Sequence, residues 1–118
     1  PTPLLVDALM KRIPKGNLVT PVEIRDKLTK DFNVDITCPL TTGIFVRISA
    51  ETAEEDLASG RKRITPYWRV IKKDGSLNER FPGGVKSQSK KLKEEGFKII
   101  HKKKLLQVVD FEKYLKKY

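Results

Sequence analysis

Three prolines, each followed by apolar residues at helical spacing, constrain the fold of the first half of this chain. Pro3, Pro21 and Pro39 suit the first turn of a helix, where the missing N–H of proline leaves no hydrogen bond unmade. Thr20 and Glu23 on either side of Pro21 add the pattern of a capping box. We therefore predict helices from residue 3 to the break at 14–16, over 21–31, and from 39 to 60. The side chains expected to face the core are Leu4, Leu5, Ala8, Leu9, Val22, Ile24, Leu28, Leu40, Ile44, Phe45 and Ile48.

The pattern after Gly60 is typical of strands and turns. Residues 68–71 and 77–81 flank a turn at 73–75, and residues 97–100 and 105–109 flank a lysine turn at 102–104. Between these two hairpins we predict a helix over 85–95, closed by Gly96, and after them a short helical turn capped by Asp110. Two short helices that lead into a third are the elements of a helix-turn-helix. The sequence thus predicts one α+β domain over residues 1–118 that is winged-helix-like, with a helix-turn-helix, a short hairpin as the wing, a further helix and a C-terminal hairpin.

The charges are distributed unevenly along the chain. Residues 1–60 carry 7 basic and 9 acidic side chains, whereas residues 61–118 carry 18 basic and 6 acidic ones. This asymmetry favours a surface that faces a polyanion, for which nucleic acid is the first candidate. The alternative is a lysine-rich solvated surface of the kind found in heat-adapted proteins.

Other function classes are excluded by composition. No apolar stretch approaches the roughly 18 residues of a membrane span, and the chain starts without a signal-peptide core, so we expect a cytoplasmic protein that does not bind membranes. One cysteine and one histidine cannot form an internal disulfide or a zinc cluster. We therefore predict neither a metal nor a cofactor.

The segment Pro66-Tyr67-Trp68-Arg69-Val70 carries a resemblance to a known family. It resembles the Pro-Cys-His-Arg-Val motif of the alkylguanine-DNA alkyltransferases, and still more the alkyltransferase-like proteins, in which tryptophan usually replaces the cysteine. Residues 13–24, IPKGNLVTPVEI, are similar to the family's lead into its helix-turn-helix. Gly83 and Gly84 are followed by eleven residues and Gly96, as in the family, with Glu95 at its active-site glutamate. The resemblance covers about residues 10–97, which leaves the C-terminal hairpin and short helix at 97–118 outside it.

The resemblance implies a monomer that binds the minor groove of duplex DNA, recognises alkylated or distorted guanine and marks it for repair proteins. It does not imply an enzyme, because Tyr67 stands at the acceptor cysteine and Trp68 at the histidine base. A phenol with a pKa of about 10 is a poor nucleophile near neutrality, and an indole N–H cannot accept a proton. Pro21 and Leu40 replace the tyrosine and the arginine finger that the family uses in base flipping.

Two sets of candidate site residues follow. If residues 67–71 are extended, neighbouring side chains point to opposite faces, so at least one of Tyr67 and Trp68 is available to a ligand, and we expect Tyr67 to be that one. By resemblance, the wall of a base pocket consists of Tyr67, Trp68, Phe81, Gly83 and Gly84. The candidate DNA-binding residues are Thr41, Thr42, Arg47, Arg61, Lys62, Arg63, Arg69, Lys72 and Lys73.

Several of these residues have a structural alternative. Arg69 can form a salt bridge with Glu95 instead of a phosphate contact, residues 61–63 can be a solvated loop, and the threonines can be ordinary helix-start residues. The function also has alternatives: a protein-interaction module whose aromatic patch docks a partner, and a residual alkyltransferase that uses Cys38.

Overall fold

The computed structural model describes residues 3–32, 39–116 and 118. It confirms the predicted α+β class, with four α-helices and a two-stranded antiparallel hairpin among these residues. No helix in the described part of the chain combines the length and the apolar character that crossing a bilayer needs. The elements in chain order are α1 (Pro3–Lys11), α2 (Pro21–Phe32), α3 (Pro39–Ala58), a 3₁₀ turn (Tyr67–Arg69), α4 (Gly84–Glu94), β1 (Ile99–Lys102), β2 (Leu105–Val108) and a second 3₁₀ turn (Phe111–Tyr114).

The predicted capping box at the start of α2 is confirmed. The N–H of Thr20 donates to Glu23 Oε1 at 2.8 Å, its hydroxyl donates to Glu23 Oε2 at 2.9 Å, and the N–H of Val22 donates to that hydroxyl at 3.2 Å. These bonds satisfy N–H groups that the first turn of a helix otherwise leaves without partners. They fix the point at which the chain enters the helix-turn-helix.

The buried face of α1 differs from the predicted one. Val6, Met10 and Ile13 are buried, whereas Leu4 is 80% exposed. The predicted face consisted of Leu4, Leu5, Ala8 and Leu9; Leu9 is buried and Leu5 packs against the core as expected, whereas Leu4 and Ala8 are exposed. Apolar or small residues on both sides of Asp7 leave several stripes equally plausible, and contacts with α3 decide between them.

The buried face of α3 also differs from the prediction. Its core side is formed by small or medium residues, among them Val46, Ala50 and Ala53. Ile44 and Ile48, which we expected to face inward, are 39% and 40% exposed. Small side chains on the inner face let the backbones of α1 and α3 approach, and the larger isoleucines are left on the outside.

The predicted wing hairpin does not form a regular ladder. Residues 67–69 are a 3₁₀ turn and not a strand, although the turn that follows is present, with the N–H of Gly75 donating to the carbonyl of Lys72 at 2.9 Å. The second arm pairs instead with β2: the N–H of Leu77 donates to the Leu106 carbonyl at 2.9 Å, and that of Val108 donates to Gly75 at 3.0 Å. The second arm of the wing is therefore hydrogen-bonded to the C-terminal hairpin.

The elements after the wing agree with the predicted order. α4 ends at Glu94, and Gly96 has the left-handed φ of 97° that was expected there. β1 and β2 pair from Ile99 with Val108 to Lys102 with Leu105. The capping role predicted for Asp110 is wrong: its φ is 53°, and only its carbonyl is used, as acceptor for the N–H of Lys113 at 3.0 Å.

The buried apolar residues form two clusters. One is built mainly from α1, α2 and α3 and includes Tyr67 and Phe81; the other lies between α4, the C-terminal hairpin and Leu18. Trp68 is partly buried against both clusters. The 3₁₀ turn therefore lies where the two halves of the molecule meet.

Candidate functional site

Tyr67 belongs to the core and not to a ligand pocket. It is 1% exposed, and its ring makes edge-to-face contacts with Trp68 at 5.4 Å and with Phe81 at 5.3 Å between centroids. Phe81 is also buried, at 3% exposure. The prediction that these two rings face a bound base is therefore wrong. Its premise was an extended segment, whereas successive side chains of a 3₁₀ turn are about 120° apart, so Tyr67 enters the core while Trp68 lies along its edge.

The hydroxyl of Tyr67 is tied to the far end of α3. It donates a hydrogen bond of 2.5 Å to Glu54 Oε1, and Lys91 Nζ lies 3.8 Å from the same oxygen. Burial of the ring raises the pKa of the Tyr67 phenol above its usual range, and the bond to Glu54 adds to that effect. The phenol therefore stays protonated at neutral pH and is no nucleophile. The last turns of α3 therefore have a structural role, because they supply Glu54.

The carboxylate of Glu95 accepts hydrogen bonds from the side chains of both residues that follow Tyr67. Trp68 Nε1 donates to its Oε2 at 2.6 Å, while Arg69 donates from Nε to Oε1 at 2.9 Å and from Nη2 to Oε2 at 2.9 Å. The third guanidinium nitrogen of Arg69, Nη1, donates to the carbonyl of Ile13 at 2.7 Å. The side chains of Arg69 and Glu95 are only 14% and 10% exposed. The phosphate-binding role predicted for Arg69 is therefore wrong, and its alternative, a structural salt bridge with Glu95, is confirmed.

Two cations lie near the Trp68 ring. The guanidinium carbon of Arg69 is 5.6 Å from its centroid, and Lys91 Nζ is 5.5 Å away. Contacts of this kind are favourable for an indole and hold its orientation. The ring is therefore a partly buried, packed element of the motif.

The buried amide of Gln88 connects three segments around the motif. Its Nε2 donates to the carbonyls of Trp68 at 3.1 Å and Val70 at 3.0 Å, and its Oε1 accepts the N–H of Asn78 at 2.8 Å. Gln88 is 1% exposed, so these backbone groups have no water to replace it. Residues 68–70 and the arm at 78 are thereby fixed to α4.

Gly83 and Gly84 shape the start of α4. Both have left-handed φ values, 80° and 68°, and a Cβ on Gly83 would lie 2.5 Å from the Cβ of Ser87. The requirement for glycine at 83 is therefore explained by the backbone itself. Tyr67 and Phe81, two of the residues predicted to line a pocket beside these glycines, are buried in the core instead.

An open groove lies beside this packed motif, between the beginning of α3 and the arm that follows the wing turn. Its volume is about 360 Å³. We call it the α3 groove; its lining residues are Gly43, Ile44, Arg47, Lys72, Asn78, Glu79 and Arg80. Arg47 and Lys72 were predicted from the sequence, whereas the others were missed. The available signal was the spacing of Gly43 and Arg47, four residues apart and thus on one face of a helix.

The cations of the α3 groove are loosely held. Lys72 Nζ is 2.6 Å from Glu79 Oε2, and this hydrogen bond lowers the pKa of the Glu79 carboxyl. Arg47 Nε is 4.0 Å from Glu51 Oε1. Arg80 is exposed and lies in no ion pair with another described residue. Exposed pairs of this kind contribute little to stability, so these side chains can change partner cheaply.

The remaining predicted DNA-binding residues do not line this groove. Thr42 is 2% exposed on the inner side of α3, so its predicted contact with DNA is wrong. The side chain of Thr41, that of Leu40 and the whole of Cys38 lie outside the described part of the structure. Arg61 and Arg63 line a different concavity, between α1 and α3, and Arg61 Nη1 lies 3.8 Å from Asp56 Oδ2. Lys62 and Lys73 are exposed elsewhere.

The described residues contain no cluster of three or more side chains that could hold a metal ion. The site therefore consists of a packed aromatic and ionic motif beside an open basic groove.

The order and packing of the four described helices and the C-terminal hairpin are those of the alkyltransferase-like fold. Two solved structures share it. Both are of S. pombe proteins: Atl1 in complex with damaged DNA containing O6-carboxymethylguanine, at 20% identity and a TM-score of 0.68, and ATL in complex with DNA, at 19% and 0.65. Each alignment covers 98% of this chain and 94% of the other. No protein-family model matches the sequence, and no curated protein matches it. The resemblance predicted from the motifs is thus confirmed at the level of the fold.

Proposed function

We propose that this protein binds duplex DNA in the minor groove through the α3 groove and does not transfer alkyl groups. The observation that carries the proposal is the exposed face of α3, on which Gly43, Ile44 and Arg47 lie together opposite Arg80. A Cβ at Gly43 would meet nothing within 4 Å, and Ile44 is 39% exposed, so neither residue serves the core.

The chemistry of these side chains suits a minor groove. Proteins that bind there use arginine and asparagine to follow its acceptors and insert apolar wedges, among them isoleucine, between base steps. The α3 groove supplies Arg47, Asn78 and Arg80 as donors and Ile44 as the apolar element. The glycine beside Ile44 would let the backbone of α3 approach the sugar-phosphate edges closely.

The packed motif supports the proposed absence of alkyl transfer. Tyr67 is buried and protonated, and Trp68 gives its only polar hydrogen to Glu95. Nucleophilic transfer needs an activated nucleophile with a base in reach, and positions 67 and 68 supply neither.

We extend the proposal to alkylated or distorted guanine because the relative Atl1 is solved on such DNA. With Tyr67 and Phe81 in the core, a modified base would contact Ile44 and Asn78 in the α3 groove. The bound protein, as a cytoplasmic monomer, would then mark the lesion for repair proteins.

The test is a titration of matched duplexes, with and without one O6-alkylguanine, at two salt concentrations. Affinity should fall steeply with salt for both duplexes, because phosphate contacts release counterions. The lesion should raise it, and Ile44→Ala should remove that preference while Ile48→Ala, an equally exposed isoleucine on the same helix, retains it. Equal affinity for the two duplexes would leave a general DNA-binding protein, and salt-independent affinity would contradict DNA binding itself.

A protein-interaction module was predicted to use an exposed aromatic patch, but Tyr67 is buried and Trp68 is packed against both clusters. A residual alkyltransferase that uses Cys38 is tested by mass spectrometry after incubation with alkylated DNA; an adduct on that cysteine would contradict the proposal.

A further inference from the structure

The lysines on two sides of helix α4 differ in whether an acidic side chain lies beside them. Lys91 is neutralised: its Nζ lies 3.8 Å from Glu54 and 5.5 Å from the centre of the Trp68 ring. Lys86, Lys90 and Lys93 recur at i, i+4 and i+7 and therefore share another face of the helix. We call these three residues the lysine stripe. Among the described residues, no carboxylate lies within ion-pair distance of any of the three.

The stripe borders a concavity and not a convex surface. A depression of about 560 Å³ lies between α4 and β2, and the stripe lines it together with Ser89, Glu94 and Leu106. Three lysines and one glutamate give this lining a net positive charge. Three exposed ammonium groups along one side of a depression produce a locally positive potential that attracts an anionic partner.

The lysine stripe is separate from the α3 groove. The two concavities share no lining residue. The stripe faces the C-terminal hairpin, whereas α4 contacts α3 through Lys91, which lies about 100° around the helix from Lys90. A DNA segment bound in the α3 groove would therefore leave the stripe free.

The dimensions of the stripe fit a nucleic-acid strand. Residues 86 to 93 rise about 10 Å along the helix axis at 1.5 Å per residue. A duplex strand presents about three phosphates over that length, at 3.4 Å each along its axis. The number of lysines and the number of phosphates agree.

We infer that the lysine stripe and its depression form a second nucleic-acid surface, which binds the phosphate backbone of a second DNA segment. With the α3 groove, it would let one copy of this chain hold two segments of duplex. The inference does not depend on lesion recognition, and it uses none of the residues on which the proposed function rests.

The test begins with a protein in which the α3 groove is disabled by Arg47→Ala and Arg80→Ala. In low salt this variant should still bind a duplex, with a slope of log K against log salt of about −2.7, as expected for three phosphates. Adding Lys90→Glu should abolish the remaining binding. Adding Lys30→Glu, which reverses an exposed lysine on α2, should not. Equal binding with and without Lys90→Glu would overturn the inference.

A second measurement separates the two proposals. Duplexes of about 12 base pairs, roughly 40 Å long at 3.4 Å per base pair, carry donor and acceptor dyes and are mixed with the wild-type chain. Energy transfer that needs both Arg80 and Lys90 means that both surfaces are occupied. Binding that depends on Lys90 without energy transfer supports the stripe and counts against the groove. Vesicles of phosphatidylserine and phosphatidylcholine provide the remaining arm: Lys90-dependent binding to vesicles but not to duplex would overturn the inference in favour of a membrane surface.

Discussion

Two neighbouring regions of this molecule use their polar groups in opposite ways. In the motif around Tyr67, Trp68 and Arg69, every side-chain polar atom has a protein partner at hydrogen-bond distance, and the side chains are buried or partly buried. In the α3 groove, Arg80 is exposed, Arg47 is half-buried and only weakly paired with Glu51, and apolar Ile44 is exposed. The first region stabilises the fold, and the second is the surface for which we propose DNA binding.

The contrast shows where function can reside in a fold of this class. The positions that would carry chemistry in the alkyltransferases are here part of the core. In the proposed function, binding relies instead on the more accessible residues that line the α3 groove. Substitutions in the motif should therefore change the free energy of unfolding, and substitutions in the groove should change affinity for DNA.

The largest effect is expected from Glu95→Ala. It leaves Arg69 buried without a counter-ion and Trp68 without an acceptor, so the free energy of unfolding should fall by about 3–5 kcal/mol. Denaturant unfolding measures it, with Glu94→Ala, an exposed neighbour, as control. A loss below about 1 kcal/mol for Glu95→Ala would contradict the importance of this ion pair.

Tyr67→Phe should have the next largest effect. It keeps the ring packing but removes the hydrogen bond to Glu54, at a cost of about 1.5–3 kcal/mol for a bond to a charged acceptor. Its affinity for DNA should equal that of the wild type at a temperature where both are folded. A selective loss of affinity for lesion-containing duplex would mean that the hydroxyl reaches the ligand after all.

Arg80→Ala should leave the free energy of unfolding within about 0.5 kcal/mol, because the side chain is exposed and unpaired among the described residues. Its affinity for duplex DNA should fall, and the salt slope should be reduced by about 1 because one positive charge is removed from the interface. Lys15→Ala, an exposed cation on the loop before α2, is the matched control. An unchanged slope for Arg80→Ala would remove this residue from the interface.

The smallest effect concerns alkaline pH. Burial raises the pKa of Tyr118 and, together with Glu54, that of Tyr67 above the ordinary range. Unfolded phenols ionise at about pH 10, so this contribution to stability is constant below about pH 10 and declines as the pH rises above it. Absorbance at alkaline pH should report fewer ionised tyrosines than the three present until the chain unfolds.

Sequence patterns predicted those features of the fold that depend on local chemistry. The capping box at Thr20, the glycine end of α4 and the C-terminal hairpin were predictable because each rests on a few adjacent residues with one favoured geometry. The buried faces of α1 and α3 were not, because Leu4, Ile44 and Ile48 are apolar yet exposed. A helix rich in apolar residues does not indicate which of its stripes meets the core.

The site was predicted less well than the fold. The motif that revealed the resemblance also led to a pocket at Tyr67, although a 3₁₀ turn places that ring in the core. Arg80 and Asn78 were missed because they line the groove only through the folding of the arm after the wing turn onto β2. Such long-range pairing leaves no short pattern in the sequence.

The backbone N–H of Asn78 is protected although this residue lies outside any helix or strand, because it donates to the buried side-chain amide of Gln88. This N–H can exchange with solvent deuterium only when its hydrogen bond to Gln88 breaks. The same side chain of Gln88 also donates to the carbonyls of Trp68 and Val70. The backbone N–H of Asn78 should therefore exchange in D₂O as slowly as the N–H groups in the middle of α4. The rim of the groove would then open only together with the most slowly opening part of the molecule.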